Sequence, residues 1–250
     1  MILPMYLAMT AEEFSCVSPR PSHPAWMACH FSPYGTGLTG LPRDIPPGTL
    51  LMLNDRIPLA GHDPGQIGAQ LTECIETFAS PAVVLDFQRK DAPEAAKLAA
   101  FLCDKLPCPV VVPPWYGESL ACPLLLPPVP PHKLPEEYIA PWQGRQLWLE
   151  ISMEAERATI AERGATFAPA PLPREEWPSW EADALCCRYR HKIHDDHISV
   201  TLWREESHLQ ALLEKAGQLG IQAAIGLHQQ LGHVFGKENT ANGETPIGGA

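Results

Sequence analysis

Eight short apolar runs, at residues 2–8, 25–30, 49–53, 82–87, 109–113, 123–126, 146–151 and 221–227, recur along the chain with helical patterns or long loops between them. Most are apolar at consecutive rather than alternate positions, the pattern of strands buried on both faces in a parallel sheet. Between them, Ile67, Leu71, Cys74, Ile75 and Phe78 mark one face of a helix over about 64–79. Ala95, Leu98, Leu102 and Leu106 mark a second, which begins after Asp91 with Glu94 three residues on, as in a capping box. Leu209, Leu212, Leu213 and Ala216 mark a third over about 205–218, with Gly220 just past its end. About eight strands alternating with helices predict a closed (β/α)8 TIM-like barrel over residues 1–235, with an open doubly wound sheet as the alternative.

Two segments depart from that rhythm. Eleven of the 28 prolines lie between Pro107 and Pro141, which excludes a long helix there and leaves room for two short buried strands. Residues 184–192 and 197–203 alternate with period two about His194, Asp195 and Asp196, which predicts an antiparallel β-hairpin near 184–203 inserted into the barrel. The final stretch, 236–250, lacks apolar periodicity and is expected to be a disordered tail.

Composition narrows the partners. With 18 basic and 29 acidic residues the net charge is −11, and no basic cluster exists to meet a phosphate backbone, so nucleic acid is not expected. No run approaches the roughly 20 apolar residues of a membrane span. The N-terminal residues lack a basic leader and carry Pro4, so they read as a first strand rather than a signal peptide. Eight cysteines sit mostly in apolar runs without a C-x-x-C pair, which fits reduced thiols and a cytoplasmic location.

Ligands of a barrel gather at the C-terminal ends of its strands. There the run 82–87 delivers Asp86 and then Gln88, two residues apart and so on one face. The alternative is that Asp86 only satisfies a backbone amide or pairs with Arg89. Other strand-end candidates for ligand contact are His30 and Tyr34 after the second run, Asn54 and Asp55 after the third, Trp115 and Tyr116 after the fifth, and Glu150 at the seventh. Tyr189 of the hairpin and His228 after the last run complete the set. Aromatic side chains at a mouth suit stacking on sugar rings. His191, His194 and His197 have metal-ligand chemistry, but an exposed polar turn is the simpler reading, and neither a metal nor a cofactor is expected.

The segment VVLDFQR resembles the fourth-strand signature D-x-x-D-x-D-x-E of family 18 glycoside hydrolases, the chitinase-like barrels. The stretch LWREESHLQALLEKAGQLGIQAAIGL is similar to the closing segment of that family. The resemblance implies that the acid/base Glu falls on Gln88, the Asp before it on Asp86, and the two earlier Asp positions on Val84 and Pro81. In the family the Glu protonates the leaving oxygen and the Asp orients the substrate's acetamido group, which acts as internal nucleophile. An amide has no proton to give. Leu227 and His228 occupy the neighbourhood of the family's stacking Trp. The expectation is a catalytically impaired family 18-like barrel that binds a carbohydrate or similar small polar ligand. Two alternatives stand beside it: a glycosidase drawing its acid from Glu118, Glu150, Asp55 or Asp63, and a structural or partner-binding protein with a vestigial mouth.

Overall fold

The computed structural model describes residues 3–174 and 177–236, so the stretch read as a disordered tail lies, apart from Gly236, outside the described residues. In chain order the first half reads β1 (Met5–Met9), α1 (Ala11–Cys16), β2 (Pro24–Phe31), β3 (Leu38–Thr39), β4 (Leu50–Asn54), α2 (Pro64–Phe78), β5 (Val83–Asp86), α3 (Pro93–Lys105) and β6 (Val110–Val111). The second half continues with α4 (Pro114–Gly117), β7 (Leu124–Leu126), α5 (Pro135–Ile139) and β8 (Leu147–Glu150). Five strands follow, β9 (Ala155–Ala161), β10 (Gly164–Ala170), β11 (Trp180–Ala182), β12 (Cys187–Ile193) and β13 (His197–Trp203), before α6 (Glu206–Gln218), β14 (Ile221–Leu227) and α7 (His228–Phe235).

Each of the eight apolar runs contains a strand of one parallel sheet, in the order β6-β5-β4-β2-β1-β14-β8-β7. The sheet closes between β6 and β7, where Val112 N–H donates to Pro123 O at 3.0 Å and Leu125 N–H to Val112 O at 2.9 Å. The result is a (β/α)8 TIM-like barrel. β6 is only two residues long because Pro109 and Pro113 bound it and proline cannot donate to the ladder. α4 and α5, of four and five residues, each carry proline in the first helical turn, where its missing N–H costs nothing.

Alternation along the barrel strands sorts side chains into two layers. Ala8, Ala25, Leu50, Met52, Val84, Val111, Leu125, Trp148 and Ile225 form one buried cluster that fills the barrel interior. The intervening residues, among them Leu51, Leu53, Val83, Leu85, Leu149 and Ala224, pack with Leu71, Leu98 and Leu212 of the helices in two outer clusters. Each Leu or Val so buried contributes about 1.5–3 kcal/mol, and the interior is packed rather than hollow. Because Val84 and Trp148 face inward, so do Asp86 and Glu150 two positions later, at the C-terminal rim.

Helix ends follow local chemistry. Asp63 caps α2 by accepting from Gly65 N–H at 3.0 Å, with Pro64 in the first helical position. The capping box read at Asp91 and Glu94 does not form: Ala92 is the N-cap without a side-chain bond, because Pro93 sets the start of α3. Gly220, at φ +90°, follows α6 and turns the chain into β14.

The hairpin near 184–203 is present as β12 and β13, with His194 N–H donating to His197 O at 2.9 Å across the turn. It is part of a larger insertion. The strands β10-β9-β13-β12-β11 form a second, antiparallel sheet between β8 and α6. β9 and β10 escape the sequence pattern because they carry mainly small and polar residues, and nearly all of β10 is exposed.

Candidate functional site

A cavity of about 280 Å³ opens at the C-terminal mouth, lined by Asp86, Gln88, Lys90, Trp115, Glu150 and Glu154, with Leu125 of the barrel interior also in its lining. β5, the fourth barrel strand, supplies Asp86. The Gln88 amide donates from Nε2 to Asp86 Oδ1 at 2.5 Å. Behind them Asp55, only 7% exposed, accepts from Gln88 N–H and Arg89 N–H at 3.0 Å each, so its carboxylate fixes the path of the chain where it leaves β5. Burial raises the pKa of Asp86, partly offset by the Gln88 hydrogen bond; the nearby Asp55 charge adds to the rise and Arg56 opposes it.

Across the mouth, β8 supplies Glu150. Burial pushes its carboxyl up to about 7, and the negative charges of Asp86 and Glu154 push in the same direction. Among the described residues the Trp115 indole Nε1 is buried without a hydrogen-bond partner, and Lys90 Nζ lies 5.1 Å from the centre of the Trp115 ring. The cavity therefore offers carboxyl acceptors, an amide, an ammonium and an aromatic surface, while the Trp115 indole N–H is shielded from solvent.

Of the residues singled out from the sequence, Asp86, Gln88, Trp115 and Glu150 meet in this cavity. Others are engaged elsewhere. Asn54 is buried and donates from Nδ2 to Cys29 O at 3.0 Å, where the register of β2 against β4 shifts. His30 Nδ1 lies 2.9 Å from Ala28 O, and Tyr34 is 97% exposed on the following loop. The Tyr116 hydroxyl donates to Arg89 O and accepts from Ala92 N–H, tying α4 to the loop after β5. His228 Nδ1 meets Glu13 Oε1 at 2.9 Å, linking α7 to α1. Tyr189 packs against Trp180 in the inserted sheet, with ring centres 5.8 Å apart.

The alternative acids Asp63 and Glu118 have other settings: Asp63 caps α2, and the backbone carbonyl of Glu118 accepts from Arg145. His194 and His197 stack with ring centres 4.2 Å apart, His191 stacks on Trp180, and no group of three metal-ligating side chains occurs among the described residues. Lys90 and Glu154 were not singled out. Both lie in loops beyond strand ends, where no periodicity distinguishes a mouth residue from a solvated one.

No protein-family model matches the chain, and no curated protein matches it by sequence. Solved structures do match. A chitinase from Chromobacterium violaceum superposes with a TM-score of 0.55 over 96% of both chains at 9% identity. The barrel has the fold of family 18 glycoside hydrolases. The spore cortex-lytic enzyme SleL of Bacillus cereus matches this family 18-like barrel with a TM-score of 0.54 at 8% identity, over 90% of this chain and 70% of its own. A chitinase-like agglutinin from Robinia pseudoacacia matches with a TM-score of 0.54 at 12% identity, over 89% of this chain and 94% of its own. A mutant family 18 chitinase from Cycas revoluta, solved with (GlcNAc)4, also matches, with a TM-score of 0.54 at 10% identity, over 89% of this chain and 94% of its own. At such identities the likeness is one of fold.

Proposed function

We propose that this chain binds a saccharide at the C-terminal mouth of its barrel and that the hydrolytic step of family 18 is impaired in it. The observation that supports this reading is the pair Asp86 and Gln88: the residue on which the resemblance places the acid is an amide, and its N–H donates to the Asp86 carboxylate. An amide cannot protonate a leaving oxygen, and loss of a general acid costs about 10²–10⁴ in rate. Binding does not need that proton. Sugar hydroxyls can donate to Asp86 and Glu150 and accept from Lys90, and the Trp115 ring offers a stacking face. N-acetylglucosamine oligomers are the first ligands to try, since a similarly folded chitinase is solved with (GlcNAc)4. The proposal includes a cytoplasmic setting, supported by eight unpaired cysteines in mostly apolar surroundings.

Calorimetric titration of chitotetraose tests the reading. Wild-type protein is expected to bind, and Asp86→Asn to bind roughly 10- to 100-fold more weakly, as loss of a hydrogen bond to a charged group implies. No binding by the wild type overturns it.

A second reading is favoured by Glu150, whose carboxyl is held near neutrality in the same cavity, as a general acid requires. The chain would then be a glycosidase with its acid on the seventh barrel strand. Turnover that Glu150→Gln abolishes would establish that reading.

A further inference from the structure

Beyond Glu154 the mouth continues into a second cavity of about 420 Å³, and Pro128 and Glu154 line both. One wall is the proline-rich loop after β7, with Pro128, Pro130 and Pro131; the other is β10 and its continuation, with Phe167 and Leu172; Met153 also lines it. Phe167 on the edge strand and Leu172 just past its end are 45% and 48% exposed, a large apolar surface. The polar groups of this wall are few. Glu156 is already engaged by His132 Nδ1 at 2.6 Å, and the His132 ring stacks on Phe167 with centres 3.8 Å apart. Glu154 stands at the junction with the mouth.

That inventory decides what the groove can hold. A second bare sugar ring would find hardly a side chain besides Glu154 to pair its hydroxyls, and would cover apolar surface with polar groups that gain nothing from it. A peptide could instead extend the free edge of β10. Pro169 near the end of β10 and Pro171 and Pro173 just beyond it, however, remove the amide donor at alternate positions, which shortens any ladder this edge could add to the few residues before Pro169. An apolar chain needs neither hydroxyl partners nor a strand edge.

We infer that the site takes an amphiphilic glycoside: the sugar sits in the mouth beside Asp86 and Trp115, and an alkyl or aryl substituent lies past Glu154 between the proline loop and Phe167. This rests on the saccharide reading of the mouth. It adds the chemical class of the ligand.

The experiment compares methyl and octyl β-N-acetylglucosaminide by calorimetric titration, the octyl compound below its micelle-forming concentration, with chitotetraose as reference. The octyl glycoside is expected to bind at least about tenfold more tightly than the methyl one, from burial of a few methylenes. In Phe167→Ala, and separately in Leu172→Ala, that ratio should fall toward one. Phe167 and Leu172 are both substantially exposed, so neither substitution opens a core cavity. Equal affinities, an octyl advantage that survives both substitutions, or no octyl binding where chitotetraose binds would each overturn the apolar groove and leave the saccharide reading standing. If chitotetraose and both glycosides fail to bind, the mouth reading itself is overturned.

Discussion

The fourth and seventh barrel strands each end in a carboxylate that faces one cavity, and the two ends are built differently. On β5 the Asp86 carboxylate accepts the Gln88 amide, and the backbone just beyond is held by Asp55 through two amide hydrogen bonds. On β8 nothing comparable among the described residues supports the charge of Glu150. Burial and the charges of Asp86 and Glu154 push its carboxyl to about 7. Two like charges in one partly dry cavity drive each other toward neutrality, and the one with fewer compensating donors yields first. The neighbours of a strand end, more than the carboxylate itself, decide whether it serves as an anchor or as a proton carrier.

The largest effect is expected on the anchored side. Asp55→Ala removes the acceptor for two backbone amides at the end of β5, and leaving them unpaired should cost about 2–3 kcal/mol, or roughly 5–10 °C in Tm. An unchanged Tm in a thermal melt would mean that Asp55 does not hold this strand end.

A smaller and pH-dependent effect is expected on the other side. Native Glu150 keeps its proton up to about pH 7, whereas an unfolded Glu releases it near 4.3, so between these values the folded state binds more protons and stability falls as pH rises. Above pH 7 the penalty is complete. Glu150→Gln escapes it, and should gain about 1–2 kcal/mol over wild type at pH 8, after allowance for partial solvent screening, with little gain at pH 4. A gain of equal size at both pH values would show that charge is not its source.

The smallest effect concerns the exposed partner of Asp86. Gln88→Glu replaces an amide donor by a like charge and should cost less than about 1 kcal/mol at pH 8, with the difference shrinking at pH 4 as both groups take protons. Chitooligosaccharide turnover should stay negligible, because on the proposed alignment Val84, Pro81 and Leu227 stand where the family has its supporting groups. Greater stability of the variant at pH 8 would contradict the Asp86–Gln88 hydrogen bond.

What could be read from the sequence follows from burial. The barrel strands are apolar on both faces, so 49–53 and 82–87 stand out as β4 and β5, and the helices over 64–79 and 205–218 follow from one-sided apolar spacing. Asp86 and Glu150 were legible because an acidic residue closing such a run has little but the mouth to face. The inserted sheet was only half legible: β12 and β13 alternate, while β9 and β10 are rich in Ala and Thr with little to bury. Asn54 and Asp55 show a second limit. Asn54 ends barrel strand β4 and Asp55 follows it, yet their side chains serve neighbouring backbone, a choice made by non-local geometry that no local spacing encodes.

The most direct test of the central claim, that the acid position of this family 18-like barrel holds an amide and the mouth binds without cleaving, is turnover by the unmodified protein. Chitooligosaccharides incubated with it at pH 5 to 8 and followed by release of reducing ends should be bound but left intact, with any rate at least about 10²-fold below that of a barrel with its acid in place. Robust cleavage, above all cleavage lost in Glu150→Gln with an alkaline limb near pH 7, would contradict the claim and move the acid to the seventh strand.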